Sequence, residues 1–106
     1  MRRVGQVIGV RPESAEEYER IHAQVWPDVL KAIRRANIRN YSIFRHGTRL
    51  FAYFEYVGDD YDSDIAGMAA DPVVQDWWRL TDAMQEPLPD RGESWWTTIP
   101  EVFHTD

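Results

Sequence analysis

"NYSIFRHGTRLFAYFEYV", residues 40–57, decides the fold because it reads as two strands joined by a turn. In its second half Leu50, Ala52, Phe54 and Tyr56 point one way, and Phe51, Tyr53 and Glu55 the other. That period of two belongs to a half-buried strand. His46-Gly47 supplies a turn, so residues 40–46 and 49–57 read as the two arms of a β-hairpin.

Toward the N-terminus, "RVGQVIGV" (residues 3–10) alternates loosely, with Val4, Gln6, Ile8 and Val10 on one face and Gly5, Val7 and Gly9 on the other. It reads as a strand whose glycines let another backbone or a ligand come close. Pro12 ends it. Ser14 and Glu17 form an S-x-x-E capping box that opens a helix, and Ile21, Val25, Val29 and Ile33 follow at near-helical spacing. This helix, kinked or restarted at Pro27, is expected to run to about Ala36. Beyond the hairpin, Asp59 and Asp60 cap a helix that continues to about Ala70. Asp71-Pro72, an acid followed by proline at the first helical position, opens "PVVQDWWRLTDAM". "EPLPDRGES" (residues 86–94) is a proline-broken loop, and "WWTTIPEVFHTD" a last extended segment interrupted by Pro100.

The order is β-α-β-β-α-β: an α+β, ferredoxin-like sandwich with helices on one face of an antiparallel sheet. A length of 106 residues fits one domain, residues 1–106. The other sheet face, rich in valine, phenylalanine and tyrosine, is costly to expose. Pairing with a second protomer, sheet on sheet, is the simplest cover, so a homodimer of the dimeric α/β barrel type is expected.

With 43% hydrophobic residues and no low-complexity tract, the chain is not of disordered composition. Its net charge of -6, without a basic stripe, argues against nucleic acid, whose binding depends on neutralising phosphates. The clusters Arg2-Arg3 and Lys31 with Arg34-Arg35 read as a strand edge and a solvated helix face. Cysteine is absent, which rules out disulfides and thiolate metal sites. No apolar run is long enough to span a bilayer and no signal peptide precedes the first strand, so a cytoplasmic protein without membrane contact is expected. Five tryptophans and five tyrosines fit either a tightly filled small core or a carbohydrate site, where a flat apolar face and a polar edge are both needed.

Tyr18, His22 and Trp26 recur at intervals of four. On a helix each step turns by about 40° and climbs about 6 Å, giving one slanted row. The row is either core or the flank of a pocket; Ile21, Val25 and Val29 already supply an apolar stripe beside it. His22 is the obvious acid–base group, since imidazole titrates near neutrality. His46 in a turn and His104 near the chain end read as surface residues. The three histidines show no metal-binding spacing, and there is no glycine-rich phosphate loop or nucleophile elbow. Asp60, Asp62 and Asp64 read as a solvated face. Proton transfer in an aromatic pocket, with no cofactor and no metal, is the chemistry these residues support.

The string "EEYERIHAQVWPDVLKAIRRANIRNYSIF" resembles the signature of the L-rhamnose mutarotase family: E-Y-x-x-x-H, then W-P, then N-Y-x-I. The likeness continues through "LFAYFEY", "DPVVQDWW" and the terminal "EVFH". It implies a ferredoxin-like protomer that dimerises through its sheet. It also implies His22 in the general-acid position, Tyr18, Tyr41, Trp77 and Trp78 at sugar-contacting positions, and Trp26 in the W-P motif. The implied activity is interconversion of the α and β anomers of a 6-deoxyhexose, L-rhamnose first. "EPLPDRGESWW" departs from the Asn-Pro-rich loop of the rhamnose enzymes, which leaves L-fucose open as the substrate. Adjacent helical residues diverge by about 100°, so one of Trp77 and Trp78 faces the sugar and the other the core. The same dimeric fold also hosts small monooxygenases, cofactor-free or haem-degrading. A sugar sensor without turnover and a purely structural dimer are the remaining alternatives.

Overall fold

The computed structural model describes residues 1–106. Its elements are β1 (Arg2–Val10), α1 (Ala15–His22), α2 (Pro27–Arg35), β2 (Ile38–His46), β3 (Arg49–Tyr56), α3 (Tyr61–Ala69), α4 (Pro72–Asp82), β4 (Gln85–Glu86) and β5 (Thr97–Ile99). All strand pairs are antiparallel, in the order β2-β3-β1-β4, with β5 also on β1. β4 pairs with Gly9 and Val10, and β5 with Gly5, Gln6 and Val7, so the two pieces together hold the place of a fourth strand. This is the ferredoxin-like arrangement, with the closing strand divided.

The hairpin folds as its alternation demands. Leu50, Ala52, Phe54 and Tyr56 are buried on the inner face, and Gly47 takes φ +59° in the turn. β2 starts at Ile38, two residues before the expected start. Asn40, with φ +52°, and Tyr41 together oppose Phe54, while Arg39 pairs with Glu55 and Ser42 with Tyr53. This β-bulge breaks the sequence period and swings Tyr41 to the inner face, where its ring meets Phe54 at 5.3 Å. Asn40 is held by donating to Glu55 Oε1 at 2.7 Å.

Of the two outcomes expected at Pro27, a kink or a restart, the structure takes the restart, and the segment is two helices. Pro27 has no N–H and drives Trp26 to φ -56°, ψ 132°, so α1 stops at His22 and α2 restarts at Pro27. Trp26 therefore lies outside the helix that carries Tyr18 and His22. The expected capping box does not form either. Ser14 ends a short 3-10 turn begun at Pro12 and makes no side-chain cap, and Glu17 accepts from Arg20 Nε at 3.0 Å instead. The two acidic caps do form: Asp60 accepts from the Ser63 amide at 3.2 Å and Asp71 from that of Val73 at 2.9 Å.

The core between sheet and helices is in two parts. Ile8, Val10, Ala15, Tyr18 and Leu50 form one cluster; Val4, Ala36, Ile38 and Phe54 form the other. The outer sheet face leaves Phe44, Phe51 and Ile99 exposed. No helix is long and apolar enough to cross a membrane.

Candidate active site

Between the two core clusters lies a cavity of about 260 Å³. Tyr18 and Trp96 border it from one cluster, and Ile38, Phe54, Tyr61 and Met68 from the other. Tyr18, His22, Tyr41, Trp77 and Trp78 all line it. His22, Tyr41, Trp77 and Trp78 also border an adjoining, more apolar chamber of about 380 Å³ with walls from Val25, Val29, Leu30, Ile33 and Val74. Spaces of this order suit small molecules. Both tryptophans of α4 thus reach the cavity, although Trp77 is buried and Trp78 only half-buried. Trp26 does not line either space. Its ring instead packs edge to face on Trp77, 5.1 Å between centroids.

His22 is fixed from three sides. Its ring stacks on Tyr18 at 4.2 Å, and Trp77 meets it edge-on at 5.3 Å. Its Nδ1 lies 2.7 Å from the carbonyl oxygen of Tyr18. A carbonyl only accepts, so Nδ1 carries the proton and donates, and neutral His22 presents the lone pair of Nε2. Burial holds its pKa below the ordinary 6.5, with the Tyr18 carbonyl bond acting in the opposite sense. Neutral imidazole is therefore the resting form at neutral pH.

The Tyr18 hydroxyl accepts from Gln85 Nε2 at 3.0 Å, and Gln85 Oε1 accepts from the indole nitrogen of Trp95 at 2.7 Å. Burial pushes the Tyr18 phenol up to about 12, against the opposing Gln85 bond and with a further push from the charge of Asp82. Burial likewise raises Tyr41, even though 38% of that residue is solvent-accessible along the cleft. Asp82 lines the same cavity, and burial raises its carboxyl above the ordinary value.

Gln85, Trp95, Trp96 and Asp82 were not singled out from the sequence. Asp82 had a signal, standing four residues after Trp78 on one helix and so on the same face. His46 ends β2 at the surface, and His104 lies near Asp106 and Glu101, away from the cavity. No group of three or more histidine, aspartate or glutamate side chains is placed to hold a metal ion.

An aromatic cavity holding one neutral histidine, inside a ferredoxin-like frame, has the size for a small molecule and the groups to pass a proton to or from it. The sequence profile of the L-rhamnose mutarotase family matches residues 3–105. This chain belongs to that family, whose members are isomerases that interconvert sugar anomers. It is similar to the L-rhamnose mutarotase of Ligilactobacillus salivarius, 36% identical over 110 residues that cover 98% of this chain and 97% of the relative. It is also similar to that of Phocaeicola vulgatus, 32% identical over the whole of both chains. The L-fucose mutarotase of Xanthomonas campestris pv. campestris is 37% identical, over 90% of this chain and 82% of its own. Among solved structures, an L-rhamnose mutarotase of Formosa agariphila superposes with a TM-score of 0.79 over the whole of both chains at 22% identity. The tetracenomycin F2 cyclase of Streptomyces glaucescens reaches 0.69 at 18% identity, over 99% of this chain and 96% of its own. At those identities the likeness is one of fold.

Proposed function

We propose that this protein interconverts the α and β anomers of L-rhamnose, with His22 as the acid–base group. The observation that carries the reading is the tie between His22 Nδ1 and the Tyr18 carbonyl, which leaves Nε2 as the free acceptor in the cavity. Nε2 takes the proton of the anomeric hydroxyl while the bond from C1 to the ring oxygen breaks. The ring oxygen takes a proton from the Tyr18 hydroxyl, leaving an open-chain aldehyde. The aldehyde turns about C1–C2, and the steps reverse: the chain hydroxyl returns its proton to Tyr18 as it attacks C1, and His22 gives its proton to the carbonyl oxygen. Every proton is restored and nothing is oxidised. A positioned transfer of this kind is worth about a hundredfold or more in rate.

The apolar edge of a 6-deoxy sugar, with its methyl group, lies against Trp77 and Trp78 in this reading, and Tyr41 and Asp82 face its hydroxyls. L-fucose is the second reading, supported by the likeness to the Xanthomonas enzyme. Exposed Phe44, Phe51 and Ile99 on the outer sheet face support a homodimer paired through that face. The test is anomer exchange by saturation-transfer NMR on L-rhamnose, L-fucose, L-mannose and D-glucose, each against a buffer blank. L-Rhamnose exchange is expected to be accelerated, and His22→Phe to return it nearly to the blank. Wild-type-like exchange in the folded variant would refute the role of His22.

A further inference from the structure

Two polar side chains outside the predicted set, Trp95 and Gln85, run in a line from the solvent side to Tyr18 at the reacting centre. The direction of each hydrogen bond in that line is fixed by chemistry. An indole N–H is a donor only, so the Trp95 nitrogen, 2.7 Å from Gln85, must face the amide oxygen. The amide nitrogen is then the end that faces Tyr18, and it too is only a donor. The Tyr18 oxygen, 3.0 Å away, therefore accepts. Its own hydrogen has to point elsewhere, and the space it borders is the cavity it shares with His22.

We propose that Trp95 and Gln85 are positioning residues that lock the Tyr18 hydroxyl as a hydrogen-bond donor toward the ring oxygen of the sugar. Without them a buried phenol could equally turn its hydrogen toward a protein acceptor and offer the substrate only a lone pair. Such a phenol could hold a sugar hydroxyl but could not protonate a leaving ring oxygen. The locked arrangement complements His22, whose exposed nitrogen is an acceptor. The site thus offers one acceptor and one donor, the pair that ring opening consumes. The inference rests on the mutarotase reading above and adds two residues to it. Gln85 is buried, so the polarity is set where water does not compete.

The test is Gln85→Glu, nearly identical in shape. At neutral pH the introduced carboxylate can only accept, so it takes hydrogen bonds from both Trp95 and Tyr18 and withdraws the Tyr18 hydrogen from the cavity. The kcat for anomer exchange is expected to fall about a hundredfold with KM little changed. On acidification the carboxyl protonates, faces Trp95 with its carbonyl and Tyr18 with its O–H, and restores the original direction. The ratio of variant to wild-type kcat should then rise as pH falls. Gln85→Leu, which removes both bonds, should lose activity with a ratio that does not depend on pH. The indole N–H proton of Trp95 reports the line without turnover. In Gln85→Glu it should move downfield at neutral pH and return with the same midpoint as the activity ratio. Wild-type-like kcat in folded Gln85→Glu, or the same pH-dependent ratio in Gln85→Leu, would overturn the proposal and leave the mutarotase reading standing. Wild-type exchange at the blank rate would sink both.

Discussion

Trp26 and Trp77 meet edge to face, 5.1 Å between ring centroids, although one precedes the first turn of α2 and the other lies within α4. Trp77 in turn abuts His22. Trp26 is therefore a brace for the wall behind the histidine. An aromatic pair of this kind contributes about 0.5–1.5 kcal/mol beyond area burial. Trp26→Leu is expected to destabilise by about 1 kcal/mol in chemical denaturation and to lower kcat more than it raises KM.

The two tryptophans of α4 should separate cleanly. Trp77 is 6% exposed, and truncating a buried tryptophan costs about 3–5 kcal/mol, so Trp77→Ala should show a large loss of stability. Trp78 is half-buried and borders both chambers. Trp78→Ala should unfold at a denaturant midpoint closer to wild type and show its effect as a raised KM.

As the proposed base, His22 is expected to set the acid limb of the pH profile. A general base must be unprotonated, and burial holds this imidazole below 6.5. Enzymatic exchange above the blank should persist through neutrality and fall on acidification with a midpoint below 6.5. Stability follows the same sign. A folded-state pKa below the unfolded one means that the unfolded chain binds more protons, so this contribution is complete above about pH 6.5 and is lost as pH falls from there through the folded value. His22→Phe should flatten both curves over that window.

Gly9 ties the sheet to the site. A Cβ there would stand 2.6 Å from the carbonyl oxygen of Glu86, so β4 would have to move, and Gln85 precedes Glu86. Gly9→Ala is expected to cost about 1–3 kcal/mol by overpacking and to depress exchange along with it. At Gly5 the nearest atom is a side-chain carbon of Ile99 at 3.4 Å, and Gly5→Ala should be milder on both counts.

Phe44 is 64% exposed on the outer sheet face. If two protomers pair there, burying such a ring is worth about 1.5–3 kcal/mol on each side. Phe44→Asp should shift the protein from dimer to monomer in analytical ultracentrifugation. A wild-type protein that sediments as a monomer would rule out the pairing.

The fold was legible wherever one physical signal dominated. The inner residues of β3 keep a strict period of two because one face is buried, and Asp60 and Asp71 announce helix starts because their carboxylates satisfy free amides. Ser14 misled because Pro12 begins a 3-10 turn earlier and Arg20 engages Glu17. The row of Tyr18, His22 and Trp26 was half right: the first two stack, but Pro27 takes Trp26 out of the helix and leaves it behind Trp77. Gln85 and Trp95 left no trace in any local spacing. They meet Tyr18 through the pairing of β4 with β1 and the return of the chain, across 67 positions in the case of Gln85.

The divided closing strand has an engineering consequence. β4 and β5 each dock on β1, so residues 87–94 cross between two anchored ends, ahead of Trp95 and Trp96, which line the cavity. That interval can be swapped, lengthened or randomised without shifting the pleats on either side. It is the natural place to build a library in search of new sugar preference, provided the indole that ends at Gln85 is kept.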